Sequence, residues 1–580
     1  MRLFSIKPFS TLLINKPNFK NLKLPSSMST ISQNPILKKE EEISKQLWTK
    51  FNKLSINSLY TPFLVSLASG CLKIDTFRHY IAQDVHFLTS FSHAYELAEE
   101  CADDDDDDDS KACIVELRQS VLNELQMHNS FCQEWGFDVS KETIPNSATL
   151  KYTDFLLATA SGKMEGINSP ANLTTPFEKT KIAAYTIGAM VPCMRLYAFI
   201  GQKLQSLIDI NGDCHPYRKW IDNYSCEAFQ AAALQTEDLL DKLSVTLTGE
   251  ELDIMQKLYH QAMKLELEFF LAQPVDKLTV VPLSKEHDSI TLFSDFDLTC
   301  TVVDSCAILA DTAMATSPKS GQSLPESQST WEALSKQYSE EYENLMENML
   351  AYQKAEKFDY EGLRKALEQL SDFERMANTR VIESEILKGL NLEDIKCAGE
   401  HLKFQDGCID FFQDITKNEN SKVNVHVLSF CWCGDLVRFA FSSGGIDNLH
   451  IHANEFVYEG SLSTGEIMKT LESPIDKLQA FIDILKERDE HDKKLTIYIG
   501  DSIGDLLCLL EADIGIVIGS SSSLRKVGTH FGISFMPLYT SIVMKQREFV
   551  EGSDFSWNKL SGVLYTVTSW AEIHSFILGC

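Results

Sequence analysis

The sequence is short of positive charge, with 53 lysines and arginines against 83 aspartates and glutamates in 580 residues. The formal net charge is therefore -30 at pH 7. Because an acidic surface repels polyanions, this balance argues against nucleic acid and anionic membranes as partners. It would repel an anionic substrate as well, so any phosphate-binding pocket must contain a metal ion or a lysine.

The sequence also lacks a cysteine pattern and an uninterrupted apolar run. Its 15 cysteines show no repeating spacing, which indicates free thiols in a reducing compartment. Cys431 and Cys433 are separated by one residue, not by the two of the usual redox or zinc hairpin. The longest apolar stretch, 182–201, contains Pro192 and Arg195, which favours a buried core helix over a membrane span.

The first 39 residues contain no aspartate or glutamate but seven basic residues: Arg2, Lys7, Lys16, Lys20, Lys23, Lys38 and Lys39. A basic leader that is rich in serine and threonine is typical of an organelle transit peptide, and a disordered basic tail is the alternative. We expect a mitochondrial protein. Translation from Met28 would give a cytosolic form.

Residues 40–275 are predicted to form a helical domain, because apolar residues recur there at helical spacing, as in Leu47, Phe51 and Leu54. The acidic run 103–109 repels itself and predicts a solvated loop. Prolines and a charged patch predict a linker at 276–288.

Short apolar strands alternate with helices beyond the linker, which predicts a doubly wound parallel α/β sheet. The strands are predicted at 289–294, 423–428, 496–499 and 514–518. We assign 289–545 to this domain, with a helical insertion at about 304–403, and expect 546–580 to form a C-terminal extension packed on it.

Polar residues follow these strands where ligand sites of open α/β sheets lie. Asp295 and Asp297 come directly after the first strand, so Asp295 could attack phosphorus while Asp297 serves as general acid and base. Ser429 could donate its hydroxyl to a phosphoryl oxygen, and Lys477 supplies the required cation. Asp501 and Asp505 are oxygen ligands suited to Mg²⁺. Each element alone is weak, but their order predicts a Mg²⁺-dependent phosphatase.

The helical domain places reactive side chains in apolar surroundings. Cys193 and Tyr197 share one helix face, and Asp84, Glu266 and Glu268 lie in apolar segments. A buried cysteine with carboxylate partners could act as a nucleophile. The alternative is an ordinary core cysteine with exposed helix glutamates.

The C-terminal motifs resemble those of the haloacid dehalogenase superfamily over about 291–537. Asp295 and Asp297 match its first motif, Ser429 its second, Lys477 its third, and Asp501 with Asp505 its fourth. The resemblance implies a Rossmann-like sheet with the insertion as a cap. It also implies Mg²⁺ held by Asp295, the main-chain carbonyl of Asp297 and Asp501, with Asp505 ligating or orienting nearby.

The helical domain resembles the TenA family, or thiaminase II, in the segments 80–84, 192–197 and 215–224. This implies an all-α bundle of the haem-oxygenase type, in which Cys193 adds to an aminopyrimidine ring. Glu266, aligned in preference to Glu268, would pass a proton to the departing amine. The resemblance further implies an Asp84 bond to the ring amidine and a pocket lined by three tyrosines: Tyr152, Tyr197 and Tyr224. Phe87 stands where the family often has tyrosine.

Together the two resemblances imply two hydrolases that act on small molecules. One would convert aminomethyl-pyrimidine to hydroxymethyl-pyrimidine and ammonia, and the other would dephosphorylate thiamin monophosphate. Helical domains of this kind tend to assemble, so we expect a homo-oligomer. The competing reading is a phosphatase for another small phosphomonoester, joined to a helical module that only binds or oligomerises.

Overall fold

The fold was examined in a computed structural model, which describes residues 42–102, 108–134, 144–163, 176–208, 215–275, 279–286, 289–320, 324–351, 354–417, 423–486, 495–552 and 557–579. The predicted transit peptide at 1–39, the alternative start at Met28 and residues 103–107 of the acidic run lie outside the described residues.

The N-terminal half is helical wherever it is described, as the sequence predicts. Its helices are α1 (Ile43–Lys50), α2 (Asn52–Leu59), α3 (Pro62–Ala68), α4 (Ile74–Cys101), α5 (Asp108–Glu134), α6 (Ser147–Ala160), α7 (Pro176–Gln205), α8 (Arg218–Ser225), α9 (Glu227–Ser244) and α10 (Gly249–Leu271).

Local sequence explains where several of these helices begin. Thr61 caps α3 by accepting from the Leu64 N–H, with Pro62 at the first helical position, where its missing N–H costs nothing. Thr248 and Glu251 form a reciprocal capping box at the start of α10. Residues 179–205 are long and apolar enough to cross a membrane, but 83% of the apolar window is buried inside the protein. This segment of α7 forms the centre of the helical core.

The C-terminal half contains a seven-stranded parallel sheet and a separate two-stranded antiparallel hairpin. The sheet has the order β3-β2-β1-β6-β7-β9-β8, and the hairpin pairs β4 with β5. The strands are β1 (Ile290–Ser294), β2 (Val423–Leu428), β3 (His450–His452), β4 (Glu455–Glu459), β5 (Leu462–Met468), β6 (Leu495–Gly500), β7 (Ile514–Ile518), β8 (Ser534–Pro537) and β9 (Val563–Val567).

Helices surround this sheet and form a separate layer after β1. They are α11 (Leu283–Glu286), α12 (Ser305–Ser320), α13 (Leu324–Leu350), α14 (Tyr360–Glu383), α15 (Leu392–Glu400), α16 (Cys408–Lys417), α17 (Gly434–Ser443), α18 (Pro474–Lys486), α19 (Leu506–Glu511), α20 (Ser522–His530), α21 (Leu538–Val550) and α22 (Trp570–Ile577). We call α12–α15 the cap. The chain leaves and re-enters the sheet domain side by side, since the Val302 N–H donates to the Lys403 carbonyl at 3.0 Å.

The last strand shows that residues after 545 do more than pack on the surface of the sheet. β9 lies inside the sheet, between β7 and β8, and pairs in parallel with both. The sequence prediction treated this segment as an extension and also omitted β3, β4, β5 and β8. These strands are three to seven residues long, and several alternate polar with apolar residues, so none resembles a buried central strand.

The two halves are packed against each other, and the described part of the predicted linker is buried. Val280, Val281 and Leu283 are at most 2% exposed. α22 contacts α2, where the Ser575 hydroxyl donates to the Asn57 side-chain oxygen at 2.8 Å. On its other side α22 contacts the loop after β1, since the Trp570 indole N–H donates to the Thr299 carbonyl at 2.9 Å.

We predict that a chain ending at Gly552 will be recovered as aggregate when the full-length chain, expressed in parallel, is soluble. The truncation removes β9 from inside the sheet and leaves the facing edges of β7 and β8 unpaired. Solubility and size-exclusion chromatography measure the outcome. A soluble, monodisperse truncated protein with phosphatase activity would contradict this role for β9.

Candidate active sites

The first candidate site lies at the carboxyl ends of β1, β2 and β6, where a buried lysine joins two aspartates. Lys477, in the first turn of α18, is fully buried, and its Nζ donates to Asp295 Oδ1 and to Asp505 Oδ1, each at 2.9 Å. Burial disfavours the ammonium, but the two carboxylates outweigh burial and raise the pKa of Lys477. The ammonium also lies 4.0 Å from the centroid of the Phe430 ring. The lysine is therefore a fixed positive charge beside Asp295.

Asp505 is held by donors on several sides. Tyr498 on β6 donates its hydroxyl to Oδ1 at 2.9 Å, and the Ser502 N–H donates to Oδ2 at 3.0 Å. Gly500 is required by this packing, because a Cβ there would lie 2.6 Å from Asp505 Cγ. Asp505 thus positions Lys477 as much as it offers a ligand oxygen.

Three carboxylates converge at this point. Ligand oxygens of Asp295, Asp501 and Asp505 all lie within 4.8 Å of one another, and all three side chains are buried. Thr299 donates its hydroxyl to Asp501 Oδ1 at 2.8 Å. Burial, followed by repulsion from Asp505, raises the pKa of Asp295 well above its ordinary value. Among the described side chains, Lys477 is one positive charge against these three carboxylates, and a cluster of this composition suits a divalent cation.

Asp297 faces the other side of the loop. Its Oδ1 accepts the Ser305 N–H at 2.6 Å, and the Ser429 hydroxyl lies 3.4 Å from its Oδ2. Its side chain is outside the three-carboxylate cluster, as expected if only its main-chain carbonyl approaches a metal. Burial raises the pKa of Asp297, and the bonds from Ser305 oppose this shift.

The backbone between these aspartates and the cap is constrained. Leu298 has a φ of 58°, a left-handed conformation that costs a residue with a Cβ about 1 kcal/mol. Gln405 stabilises it by donating its side-chain N–H to the Leu298 carbonyl at 3.0 Å. The strain is located in the loop that carries Asp295 and Asp297, and backbone strain of this kind is common at functional sites.

Sequence reasoning missed four neighbours of this site: Tyr498, Thr299, Ser502 and Asp304. Asp304 is half-buried, and its desolvation together with repulsion from Asp297 raises its pKa to about 8. Asp304 lies just before α12, where an aspartate is a common helix N-cap. The sequence therefore gave no sign that it lies near Asp297. Tyr498 lies in an apolar strand and looks like a core residue in the sequence. Only the register of the sheet brings its hydroxyl to Asp505.

The second candidate site lies in the helical half, around Cys193 on α7 and Glu266 on α10. Both residues are buried, and the Tyr152 hydroxyl donates to Glu266 Oε1 at 2.7 Å. Cys193 is hydrogen-bonded to the same carboxyl group. Burial raises the pKa of Glu266 to about 7, although the bonds from Tyr152 and Cys193 oppose the shift. Burial, followed by repulsion from Glu266, keeps the Cys193 thiol protonated by raising its pKa.

Glu268, the alternative considered from sequence, lies outside this pocket. Its carboxylate is half exposed and pairs with Lys151, with an Nζ–Oε2 distance of 2.6 Å. Helical geometry turns residues two apart to different faces, so only one of the two glutamates can face Cys193. The structure places Glu266 there.

Asp84, on α4, is part of a charged pair that the sequence did not reveal. Its Oδ2 lies 3.1 Å from His128 Nε2, and His128 is also 3.8 Å from Glu124 Oε1. Burial alone would lower the pKa of His128, but the two carboxylates raise it to about 9. Tyr224 donates its hydroxyl to Glu124 at 2.6 Å. A protonated histidine therefore holds two carboxylates at the wall of the pocket.

Aromatic rings close the remaining sides. Tyr197 packs on Tyr224, with ring centroids 4.8 Å apart, and Phe87 packs on Tyr152 at 4.7 Å. The cavity between Asp84, Cys193 and these rings is only about 10 Å³, room for one water molecule. Side chains must move before an aromatic ring can bind beside Cys193.

Comparison with known proteins first identifies the helical half. Residues 52–165 and 177–276 match the TENA/THI-4/PQQC family. An aminopyrimidine aminohydrolase from Helicobacter pylori is 24% identical over 40% of this chain and 97% of its own length. A solved phosphoserine phosphatase with a phospho-aspartyl intermediate analogue is 16% identical, with a TM-score of 0.27, over 41% of this chain and 91% of that one.

One relative spans both halves. The bifunctional TH2 protein of Arabidopsis thaliana, named as mitochondrial, is 63% identical over 556 residues, which cover 93% of this chain and 90% of the relative. The protein is thus a two-part chain with a TENA/THI-4 domain followed by an α/β domain. It belongs to the family of the bifunctional TH2 protein.

We predict that Glu266→Gln will stabilise the helical half at pH 8 but not at pH 5. The carboxyl pKa rises from 4.5 to about 7 on folding, so the wild-type chain loses stability as pH rises between these values. Glutamine cannot ionise, and the variant should gain up to about 3 kcal/mol between pH 5 and pH 8.

Thermal unfolding of both proteins at the two pH values measures the difference. Glu268→Gln, which alters an exposed carboxylate on the same helix, is the matched control and should show no such trend. A variant-minus-wild-type difference that is equal at pH 5 and pH 8 would show that Glu266 is not an unfavourably buried charge.

Proposed function

We propose that this chain is a bifunctional enzyme of thiamin metabolism, with a thiamin monophosphate phosphatase in its C-terminal half and an aminopyrimidine aminohydrolase in its helical half. The similarity to the Arabidopsis protein along nearly the whole chain supports the pairing of the two activities. The observation that carries the phosphatase is the buried Lys477 between Asp295 and Asp505, beside Asp501.

In the phosphatase, Asp295 attacks phosphorus while the bond to the ester oxygen breaks and Asp297 gives that oxygen a proton. The resulting aspartyl-phosphate is hydrolysed by a water molecule whose proton returns to Asp297. Lys477 offsets the charge that gathers on Asp295 and the phosphoryl group, and Ser429 donates to a phosphoryl oxygen. Asp295 and Asp297 have then returned to their starting states, and phosphate and the free alcohol leave.

The site fits Mg²⁺. Asp295 and Asp501 would hold the ion together with the main-chain carbonyl of Asp297, and Asp505 would serve at the edge of the coordination sphere while it orients Lys477. Mg²⁺ binds one or two carboxylates plus substrate phosphate in such sites, and it would polarise the phosphoryl oxygens. Its two charges offset the negative charge of the three carboxylates.

In the helical half, the thiol proton of Cys193 passes to Glu266 as sulfur adds to the aminopyrimidine ring. Glu266 delivers that proton to the amine, which leaves as ammonia when its C–N bond breaks. Water then adds its hydroxyl to the same carbon and gives its proton to Glu266, which returns it to the sulfur as the C–S bond breaks and the thiol is released. Asp84, fixed by His128, bonds the ring amidine, and the tyrosines at 152, 197 and 224 enclose the ring. Phe87 contributes no hydroxyl, so its side of the pocket selects by shape.

The remaining proposals follow from composition and family. The substrates are small molecules, and the net charge of -30 disfavours nucleic acid and membranes as partners. Two observations support a mitochondrial location: the Arabidopsis relative is named as mitochondrial, and residues 1–39 contain no aspartate or glutamate. We also propose that the helical half assembles into a homo-oligomer.

Two single substitutions should separate the activities. Asp295→Asn removes the attacking carboxylate, so phosphate release from thiamin monophosphate should disappear while ammonia release from aminomethyl-pyrimidine persists. Cys193→Ser should do the reverse, with ammonia release lowered about 10²-fold or more because a hydroxyl is the weaker nucleophile.

Steady-state assays of both products on each variant measure this. Asp483→Asn and Cys397→Ser, at exposed positions that line neither site, serve as matched controls. Phosphate release by Asp295→Asn above a few per cent of wild type would refute Asp295 as nucleophile.

Removal of divalent cations should affect one activity only. EDTA treatment followed by desalting should abolish phosphate release, and added Mg²⁺ should restore it, because the three-carboxylate cluster suits a divalent cation. Ammonia release should not change, since Cys193 and Glu266 need no metal. Equal loss of both activities would argue against two independent sites.

A further inference from the structure

The phenylalanine that follows Ser429 contacts both Lys477 and the space above the phosphatase residues. A cavity of about 580 Å³ lies there, and Phe430 lines it together with Asp501 and Ser502. The centroid of the same ring lies 4.0 Å from Lys477 Nζ. Lys477 has no exposed surface, whereas Phe430 is 9% exposed. The ring therefore covers the ammonium group on the side of the cavity.

The ring adds an aromatic contact to the two carboxylates that hold this ammonium group. An ammonium has three N–H donors, of which one goes to Asp295 Oδ1 and one to Asp505 Oδ1, each at 2.9 Å. The face of an aromatic ring carries partial negative charge and attracts a cation, most strongly where water is excluded. Phe430 thus limits the directions in which the buried ammonium group can move.

A glycine makes room for the ring. A Cβ at Gly504 would lie 2.7 Å from Phe430 Cε2, closer than such atoms pack, so the ring lies against bare backbone at this point. Gly504 belongs to the short turn Ile503–Asp505. This turn therefore supports the ring and also supplies the Asp505 carboxylate that accepts from Lys477.

One buried amide fixes the backbone on both sides of the contact. Asn454 is 1% exposed, and its side-chain N–H groups donate to the carbonyls of Phe430 at 3.3 Å and Leu471 at 2.9 Å. Its Oδ1 accepts the N–H groups of Thr470 and Leu471 at 2.8 and 2.9 Å. Residues 470 and 471 lie just before α18, which carries Lys477. The two backbones are therefore joined independently of the contact between ring and ammonium.

We propose that Phe430 is a positioning residue of the phosphatase, whose ring face holds the Lys477 ammonium group against Asp295 during attack on phosphorus. This role rests on the proposed phosphatase function and deepens it. Lys477 offsets the developing charge only while it stays beside the attacking carboxylate, because electrostatic stabilisation falls with distance. A ring with less electron density on its face should therefore slow turnover without weakening substrate binding.

Two rings of nearly equal size and opposite electronic character test this role in the full-length chain. 4-Methylphenylalanine and 4-chlorophenylalanine are introduced at position 430 by suppression of an amber codon. The methyl group donates electron density to the ring and chlorine withdraws it, whereas any steric strain against Gly504 is common to both. We expect kcat of the 4-methyl chain to exceed that of the 4-chloro chain about fivefold, with KM equal within about twofold.

The substrates are thiamin monophosphate and the neutral ester 4-methyl-5-(2-phosphooxyethyl)thiazole. Because Phe430 acts on Lys477 and not on the leaving alcohol, the kcat ratio should agree between the two esters within about twofold. Where only one ester is hydrolysed, the division of the effect between kcat and KM on that ester decides, since a contact with the bound alcohol part would appear chiefly in KM.

The same two residues at position 481 give the matched control. Phe481 lies on α18 with Lys477, and its ring packs on Phe293 and Tyr498, with centroids 4.6 and 6.0 Å apart. The kcat ratio there should stay within about twofold of unity. If neither ring is accommodated at position 430, 4-fluorophenylalanine, which is only slightly larger than phenylalanine, should lower kcat about twofold.

A kcat ratio of unity at position 430 overturns the positioning role while leaving the phosphatase intact. So does an effect confined to KM, or one that appears with thiamin monophosphate while the neutral ester shows none, because the ring would then contact the cationic alcohol part. An equal ratio at position 481 overturns it as well. If the wild-type chain hydrolyses neither ester, the proposed phosphatase is overturned, and the positioning role with it.

Discussion

The C-terminal half depends on one buried cluster of charges, in which the ammonium group of Lys477 lies between two carboxylates. Lys477 has no exposed surface, and the carboxylates of Asp295 and Asp505 that pair with it are themselves buried. Removal of one partner from such a buried ion pair leaves an uncompensated charge and lowers the free energy of unfolding by several kcal/mol. The pairing therefore fixes the relative positions of β1, β6 and the start of α18, which meet at this point. The surrounding Tyr498, Ser502 and Gly500 are arranged to keep Asp505 in place.

The two sites handle charge in opposite ways. The phosphatase cluster accumulates negative charge that a divalent cation would relieve, and its cavity is open enough for a substrate. The helical site keeps a neutral thiol beside a carboxyl group whose pKa lies near 7, within a space the size of a water molecule. The helical site therefore depends on where one proton lies, whereas the other site is dominated by the negative charge of its clustered carboxylates.

The candidate catalytic residues were easier to predict from the sequence than their neighbours. Asp295, Ser429 and Asp501 follow apolar strands, and the parallel sheet brings the ends of those strands to one edge. Tyr498 and His128 carry no such mark, because their roles come from register and helix packing.

The predicted bundle and parallel sheet are observed, but β9 was not foreseen. A short strand after a polar stretch resembles an appendage unless its neighbours are known. Glu266 was preferred to Glu268 only by alignment, and the burial of one with the exposure of the other gives that preference a physical basis.

The position of Trp570 has a consequence for how the protein is made. Its indole N–H bonds the loop that follows Asp295, yet it lies 271 residues after its partner Thr299 in the chain, and β9 just before it completes the sheet. Synthesis must therefore reach α22 before the phosphatase can assemble, although the helical half emerges early and can begin to fold. The helical half is therefore synthesised before the α/β half, and α22 packs against both once they have folded.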